Sequence, residues 1–294
     1  MFVIIGYVLM VVSIIVGFTM HHGKIASLMQ INELIIIGGA AVSSMIVAGG
    51  KNAIPNCIKS AMAVIKGNPF TKAAYLDLLQ MLYELFMIAR KDGLLALEQH
   101  AEYPEASDLF AKFPFFNHHH HAVAFLTDNL KLILLGGVGV YDLSDLMDLD
   151  LEVRREELEK TPKLVAKTGD AMPGFGIVAA VLGVVITMQY ISGKPEEIGE
   201  KVAAALVGTF LGVLLAYGVF GPMAHAMEEL VEAELAYYKC IKDALLSFAK
   251  GDSAMVAVEF ARRNIDPEVR PTFAETETRL RQKKAEDSAQ QAAA

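Results

Sequence analysis

One stretch restricts the fold of this chain more than any other. Residues 170–223 read DAMPGFGIVAAVLGVVITMQYISGKPEEIGEKVAAALVGTFLGVLLAYGVFGPM. At about 1.5 Å per residue, the apolar runs 171–191 and 202–223 can each cross a hydrocarbon layer ~30 Å thick. A polar turn at 192–201 separates them, so the pair reads as a transmembrane hairpin. Neither run contains Asp, Glu, Lys, Arg or His. If this hairpin handles ions, the ionisable group has to come from another chain.

Composition agrees with a membrane protein that carries a sizeable soluble part. The 294 residues are 54% hydrophobic, with a mean hydropathy of +0.40. A net charge of −8 argues against nucleic acid as a partner. Cys57 and Cys240 are far apart, lack metal-ligand spacing and read as reduced cytoplasmic thiols. The first twenty residues have no basic leader region and no small-residue cleavage site after them. They read as a first transmembrane helix rather than a signal peptide.

The expected organisation has four parts. Residues 1–50 hold transmembrane helices at 1–20 and 34–50, joined by HHGKIASLMQINE. Residues 51–169 form a soluble helical insert, 170–223 the second hairpin, and 224–294 a soluble helix and tail. Lys51, Lys59, Lys66 and Lys72 follow the second span, and Arg262, Arg263 and Arg270 lie in the tail. Short-loop positive charge therefore places the insert, the tail and both termini in the cytoplasm.

The soluble parts read as helical. Leu76, Leu79, Tyr83 and Phe86 repeat at helical spacing before a stop at Gly93, and Leu143, Leu146, Leu149 and Val153 form a second stripe. Pro162 marks a break after it. Leu230, Glu234, Tyr237, Ile241 and Leu245 make a third stripe that ends at Gly251. The final KKAEDSAQQAAA reads as disordered. The expected class is all-α: a polytopic membrane protein with four transmembrane helices and a helical cytoplasmic domain.

Several residues stand out chemically. Gly208-x-x-x-Gly212, with Gly176-x-x-x-Ala180 and Ala179-x-x-x-Gly183 opposite, permits close backbone approach between helices. Thr187 and Thr209 either line a hydrated path or bond back to the carbonyl four residues earlier. Pro173 falls in the first turn of its expected helix, where the missing N–H costs nothing. Pro222 presses on the Gly218 carbonyl if the fourth helix continues, which predicts a kink there. Consecutive residues on a helix point about 100° apart, so at most two of His118–His121 could share a metal. No Ser/His/Asp set, phosphate loop or GxGxxG motif is present, and nothing points to an enzyme.

FGIVAAVLGVV (175–185), LVGTFLGVLLAYG (206–218) and Pro222 closely resemble the MotA family of flagellar motor stator subunits, within the wider MotA/TolQ/ExbB proton channels. YLDLLQMLYELFMIARKDGLLALE (75–98) and VAVEFARR (256–263) fit the same family. The resemblance implies a multi-pass inner-membrane subunit that builds an ion channel with MotB and turns ion-motive force into torque. Five such subunits would surround two MotB chains, whose single transmembrane helices bring the ion-carrying aspartate. By the same resemblance Thr209, Ala180, Thr187 and Tyr217 line the ion path, and alanine at 180 favours H+ over sodium. Pro173 and Pro222 become conformational couplers, and Arg90 and Glu98 contacts for the rotor protein FliG. No cofactor or metal is implied. The alternative is an ExbB/TolQ-like energiser of a periplasm-spanning partner, a group that typically has three spans.

Overall fold

The computed structural model describes residues 2–281 and is helical throughout, with no strand among the described residues. The expected disorder at 283–294 lies outside them. The chain divides into two compact units. One comprises residues 1–67 and 157–231; the other comprises 68–156 and 232–294. Among the described residues, four helices are long and apolar enough to cross a membrane.

The first unit is the apolar one. Helix α1 (Phe2–Met20) is apolar on every side and buries none of its residues, as a lipid-facing helix does. The Tyr7 hydroxyl tethers it by donating to Val219 O at 2.9 Å. Helix α2 spans Ile31–Gly49 and buries Glu33, Ile37, Ala41 and Met45. These lie four residues apart, on one stripe. The expected second span, 34–50, therefore begins three residues early, and Glu33 moves from the connecting loop into the helix. Helix α3 (Ala53–Lys66) buries Ala53, Cys57 and Val64 and stops at Gly67, whose φ of +93° suits only glycine well.

The second unit surrounds a helix that is buried on most of its surface. Helix α4 (Lys72–Asp92) is capped by Thr71, whose Oγ1 accepts from Ala74 N, and buries Tyr75, Leu78, Leu79, Met81, Leu82, Leu85 and Phe86. Of the expected stripe, Leu79 and Phe86 are in the core, while Leu76 and Tyr83 sit at its edge. Short helices α5 (Glu98–Glu102), α6 (Asp108–Ala111) and α7 (Pro114–His118) follow, then α8 (His120–Leu135).

Helix α9 runs unbroken from Val140 to Met188. Two expectations fail there. Pro162 does not interrupt the helix, and Pro173 lies in its interior rather than its first turn. An interior proline costs about 3 kcal/mol. Packing beside each ring offsets it: Leu164 and Val165 pack with Met45, Cys57 and Met227, and Met172 and Ala179 pack with Ile37 and Ala216. The expected stripe on this helix also shifts. Leu143, Met147 and Leu151 are buried, whereas Leu146, Leu149 and Val153 are exposed. A four-residue repeat follows the 3.6-residue turn more closely than the three-residue one chosen from leucines alone.

Helix α10 (Pro195–Leu214) runs into a π-helical turn at Leu215–Phe220, and α11 continues from Gly221 to Ala249. Pro222 has no N–H for the Gly218 carbonyl. The irregularity expected there takes the form of this π turn, which re-routes the backbone bonds. Within the second unit, Tyr237, Ile241 and Leu245 of α11 are buried as their spacing predicts. Glu234, on the same stripe, accepts from Arg154 Nη2 at 2.8 Å. Phe248 stacks on Phe86 with centroids 4.5 Å apart.

Helix α12 (Ala254–Arg263) is capped by Ser253. A last helix, α13, covers residues 273–281. Its start is a capping box: Thr272 N donates to Glu275 Oε2 at 2.7 Å, and Glu275 N donates to Thr272 Oγ1 at 3.2 Å. The Lys72 ammonium, 2.6 Å from Glu275 Oε1, is the main reason that carboxyl is pulled down to about 2.

Backbone comes close to backbone where α9 and α10 cross in the first unit. A Cβ on Gly212 would sit 2.7 Å from Met172 O and 2.9 Å from Gly176 Cα, and one on Gly176 would sit 2.7 Å from Gly208 O. A Cβ on Gly174 would meet nothing within 4 Å. Gly212→Val should therefore force the helices apart at a cost of about 1–3 kcal/mol. Thermal unfolding in detergent, followed by size-exclusion chromatography, should show a clearly lower midpoint for Gly212→Val and a near-native one for Gly174→Ala.

Candidate functional site

The sequence-derived ion-path residues gather around the α9–α10 contact. The small residues expected to permit helix approach do so within this one chain. Gly176 faces Gly208 and Gly212, Gly183 faces Ala205, and Gly208 faces Ala179 Cβ and Ala180 N, each of which would lie 3.2 Å from an added Cβ. Ala180 and Thr209 are both half-buried and flank this contact, one on each helix. The Thr209 hydroxyl makes no hydrogen bond to any described residue and stays available. Thr187 is buried, and its hydroxyl donates to Gly183 O at 2.8 Å, the backbone-bonded state weighed from the sequence. Tyr217 belongs to the π turn and is 73% exposed.

Pro173 sits one residue after Met172, whose carbonyl is the group that Gly212 approaches. Pro222 is exposed at the start of α11, immediately beyond the π turn. The two prolines thus flank backbone that departs from regular helix or packs at its closest.

Sequence reasoning misses Glu33. The sequence reading leaves Glu33 in the loop before the second span, whereas the structure places it in the first turn of α2, on the packed face. Glu33 lies in α2, a helix of a candidate span, and is only 6% exposed. Its Oε2 has no hydrogen-bond partner and would be 2.8 Å from a Cβ on Gly208. The signal is present in the sequence. Counting back by fours from Met45 through Ala41 and Ile37 lands on Glu33, and thus places it on the packed face.

Arg90 and Glu98 belong to the second unit. Arg90 lies in the last turn of α4, and its guanidinium donates to Gly251 O at 3.3 Å and Asp252 O at 3.0 Å. Gly251 takes a φ of +90° where α11 ends. Arg90 therefore fastens the α11–α12 turn while its side chain remains at the surface. Glu98 is exposed at the first position of α5, where a carboxylate favours the positive end of the helix.

The histidine run is split between two helices rather than lying on one. His118 ends α7, His119 lies between helices, and His120 starts α8. His118 and His119 each place Nδ1 against the carbonyl four residues earlier, at Pro114 and Phe115. No group of three or more His, Cys, Asp or Glu side chains gathers into a metal-sized cluster among the described residues. Nearby, burial pushes the imidazole of His100 below its usual range, where it pairs with Ser107 Oγ at 2.7 Å.

Comparison with known proteins identifies the family. Residues 4–93 match the family model for the motility protein A N-terminal region, and residues 118–239 match that for the MotA/TolQ/ExbB proton channel family. Motility protein A of Salmonella typhimurium is 35% identical over 281 residues, covering 96% of this chain and 95% of the relative. That of Escherichia coli is 36% identical with the same coverage. Chemotaxis protein LafT of Vibrio parahaemolyticus is 33% identical over 93% of this chain and 96% of its own. Among solved structures, the MotAB complex of C. jejuni superposes with a TM-score of 0.72 at 22% identity, covering 92% of this chain and 98% of that one. With four apolar helices, a glycine-packed hairpin and relatives aligned along nearly its full length, the chain belongs to the motility protein A family.

Proposed function

We propose that this chain is the wall-forming subunit of a proton-driven flagellar stator in the inner membrane, with both termini in the cytoplasm. The observation that carries the reading is the glycine-packed α9–α10 hairpin. It presents half-buried Ala180 and Thr209 yet contains no charged side chain from 171 to 191 or from 202 to 223. A partner helix with an aspartate would complete such a path, because a charge held in lipid is expensive and is kept only for function. Structural likeness to the MotAB complexes of C. jejuni and Bacillus subtilis supports a MotB-like partner. In the proposed assembly, five copies of this chain surround two such partner helices. Alanine at 180 supports H+ as the carried ion.

Torque follows if protonation of the partner aspartate alters its contact with α9 and α10. Helices α9 and α11 each supply residues to both compact units. Pro173 and Pro222 are positions at which those helices lack a backbone donor, and so are the candidates for bending. Arg90 and Glu98 are then contacts for a FliG-like rotor protein. Exposed charges of this kind bind weakly and exchange fast, as a stepping motor requires. The ExbB/TolQ alternative is less well supported, because four candidate spans and a match to the motility protein A N-terminal region both exceed its usual three-span pattern.

In a motile host lacking its own copy, the wild-type chain should restore swimming. Pro173→Ala and Arg90→Glu should insert normally but reduce swimming speed several-fold; normal speed in both would remove the assigned roles. Arg90→Glu also breaks the bonds to Gly251 and Asp252, so Arg90→Lys separates charge from geometry. Lysine retains the charge but not the two-carbonyl bridge, and should keep most of the speed if charge is what the rotor reads. Swimming should collapse with a protonophore and ignore sodium between low and high concentrations. Speed that follows sodium and survives the protonophore would overturn the assignment of H+.

A further inference from the structure

We propose that Glu33 is a second proton-exchange site, supplied by this chain itself at the α9–α10 contact. The proposal rests on the ion-path reading above and extends it. Glu33 lies on the buried stripe of α2, and its carboxyl oxygen Oε2, unpaired, points to the gap left by Gly208. The same gap is walled by Ala179 Cβ and Ala180 N on α9. Thr209, with an available hydroxyl, is the next residue after Gly208. The carboxyl therefore reaches the place where the path residues converge, from a helix outside the hairpin.

A purely structural role fits less well. At the third position of α2, a glutamate could reach back to the N–H of Gln30 as half of a capping box. The Gln30 side chain makes no cap bond, and Glu33 makes no hydrogen bond to a described residue. A packing role would be better served by an apolar residue, because a buried polar group without a partner is destabilising. The environment also isolates the carboxyl from other charges. Helix α10 and its continuation carry no charged residue between Lys201 and His225. On α9 there is none between Asp170 and Met188. The turn Ile25–Leu28, which precedes α2, has none itself, and Lys24 lies just before it. Tyr7 on α1 is occupied with Val219 O, and Tyr217 faces outward. Gain or loss of one proton is then the largest electrical change available at this contact.

The exchange balances simply. Glu33 as the acid releases H+ to water or to an acceptor carboxylate on the partner helix, leaving the carboxylate, and recovers H+ from water on the other side. No bond other than O–H is made or broken. Gly208 is part of the device, since any side chain there would displace the carboxyl.

The test uses the full chain expressed with its single-span partner in a motile host. Glu33→Gln keeps the shape and removes the proton. It should co-purify with the partner at wild-type yield, lower swimming speed at least ten-fold at pH 7, and abolish a carboxyl band that titrates in infrared difference spectra of the purified wild-type complex. Wild-type speed together with an unchanged infrared titration in Glu33→Gln would overturn the proposal. If Glu33→Gln fails to assemble, Glu33→Asp carries the test. A displaced pH profile of swimming speed supports the proposal, and a profile superimposable on wild type overturns it. If even the wild-type complex restores no swimming and conducts no protons, the stator reading fails, and Glu33 with it. A conducting wild type with an equally conducting Glu33→Gln removes Glu33 alone.

Discussion

The close approach of α9 and α10 is the constraint on which the rest of the first unit depends. Between two helices in lipid there is little hydrophobic force, and van der Waals contact takes its place. Contact of that quality needs residues without side chains at the crossing. Gly176 and Gly212 meet that need, since an added Cβ at either would fall within 3 Å of the facing helix, and one on Gly208 would lie 3.2 Å from Ala179 and Ala180. The contact so formed encloses Ala179 and leaves half-buried Ala180 on one helix and Thr209 on the other at its edge. Along both spans the absence of charge accompanies the closeness of the helices, and the proposed function reads the pair as one narrow apolar wall.

The prolines show how tertiary packing overrides local preference. Pro173 reads from sequence as a helix start, and Pro162 as a helix end. Both readings are reasonable, because each ring removes a backbone bond. In the structure α9 passes through both, held by contacts of Leu164, Val165, Met172 and Ala179 that no local window contains. Pro222 is closer to its expectation, because the irregularity does fall within a turn of Gly218. Its form, a π turn at Leu215–Phe220, does not follow from the ring alone.

Much of the fold is legible because its two strongest patterns are long. Four apolar runs and the periodic helices of the soluble part survive any uncertainty of a few residues at their ends. The same uncertainty at the start of one span hides Glu33. Moving the boundary of α2 from 34 to 31 turns a loop glutamate into a buried one. Likewise, choosing leucines three apart on α9 selects Leu146 and Leu149, which are exposed, over Met147 and Leu151, which are buried. Arg90 illustrates a different gap. Its surface position is legible, but its bridge to Gly251 and Asp252 joins residues 161 and 162 apart in sequence and has no local signature. The candidate site is thus half readable: the helix contact from glycine spacing, the burial of Glu33 only from the packing.

The central claim is that this chain forms the wall of a proton path whose principal carboxylate belongs to a partner. The most direct measurement is proton uptake into liposomes containing this chain alone, this chain with its single-span partner, or the pair with the partner's membrane aspartate changed to asparagine. The account predicts uptake driven by a membrane potential only for the intact pair, and background rates for the other two. Equal uptake by the chain alone, or by the pair lacking the aspartate, would contradict it.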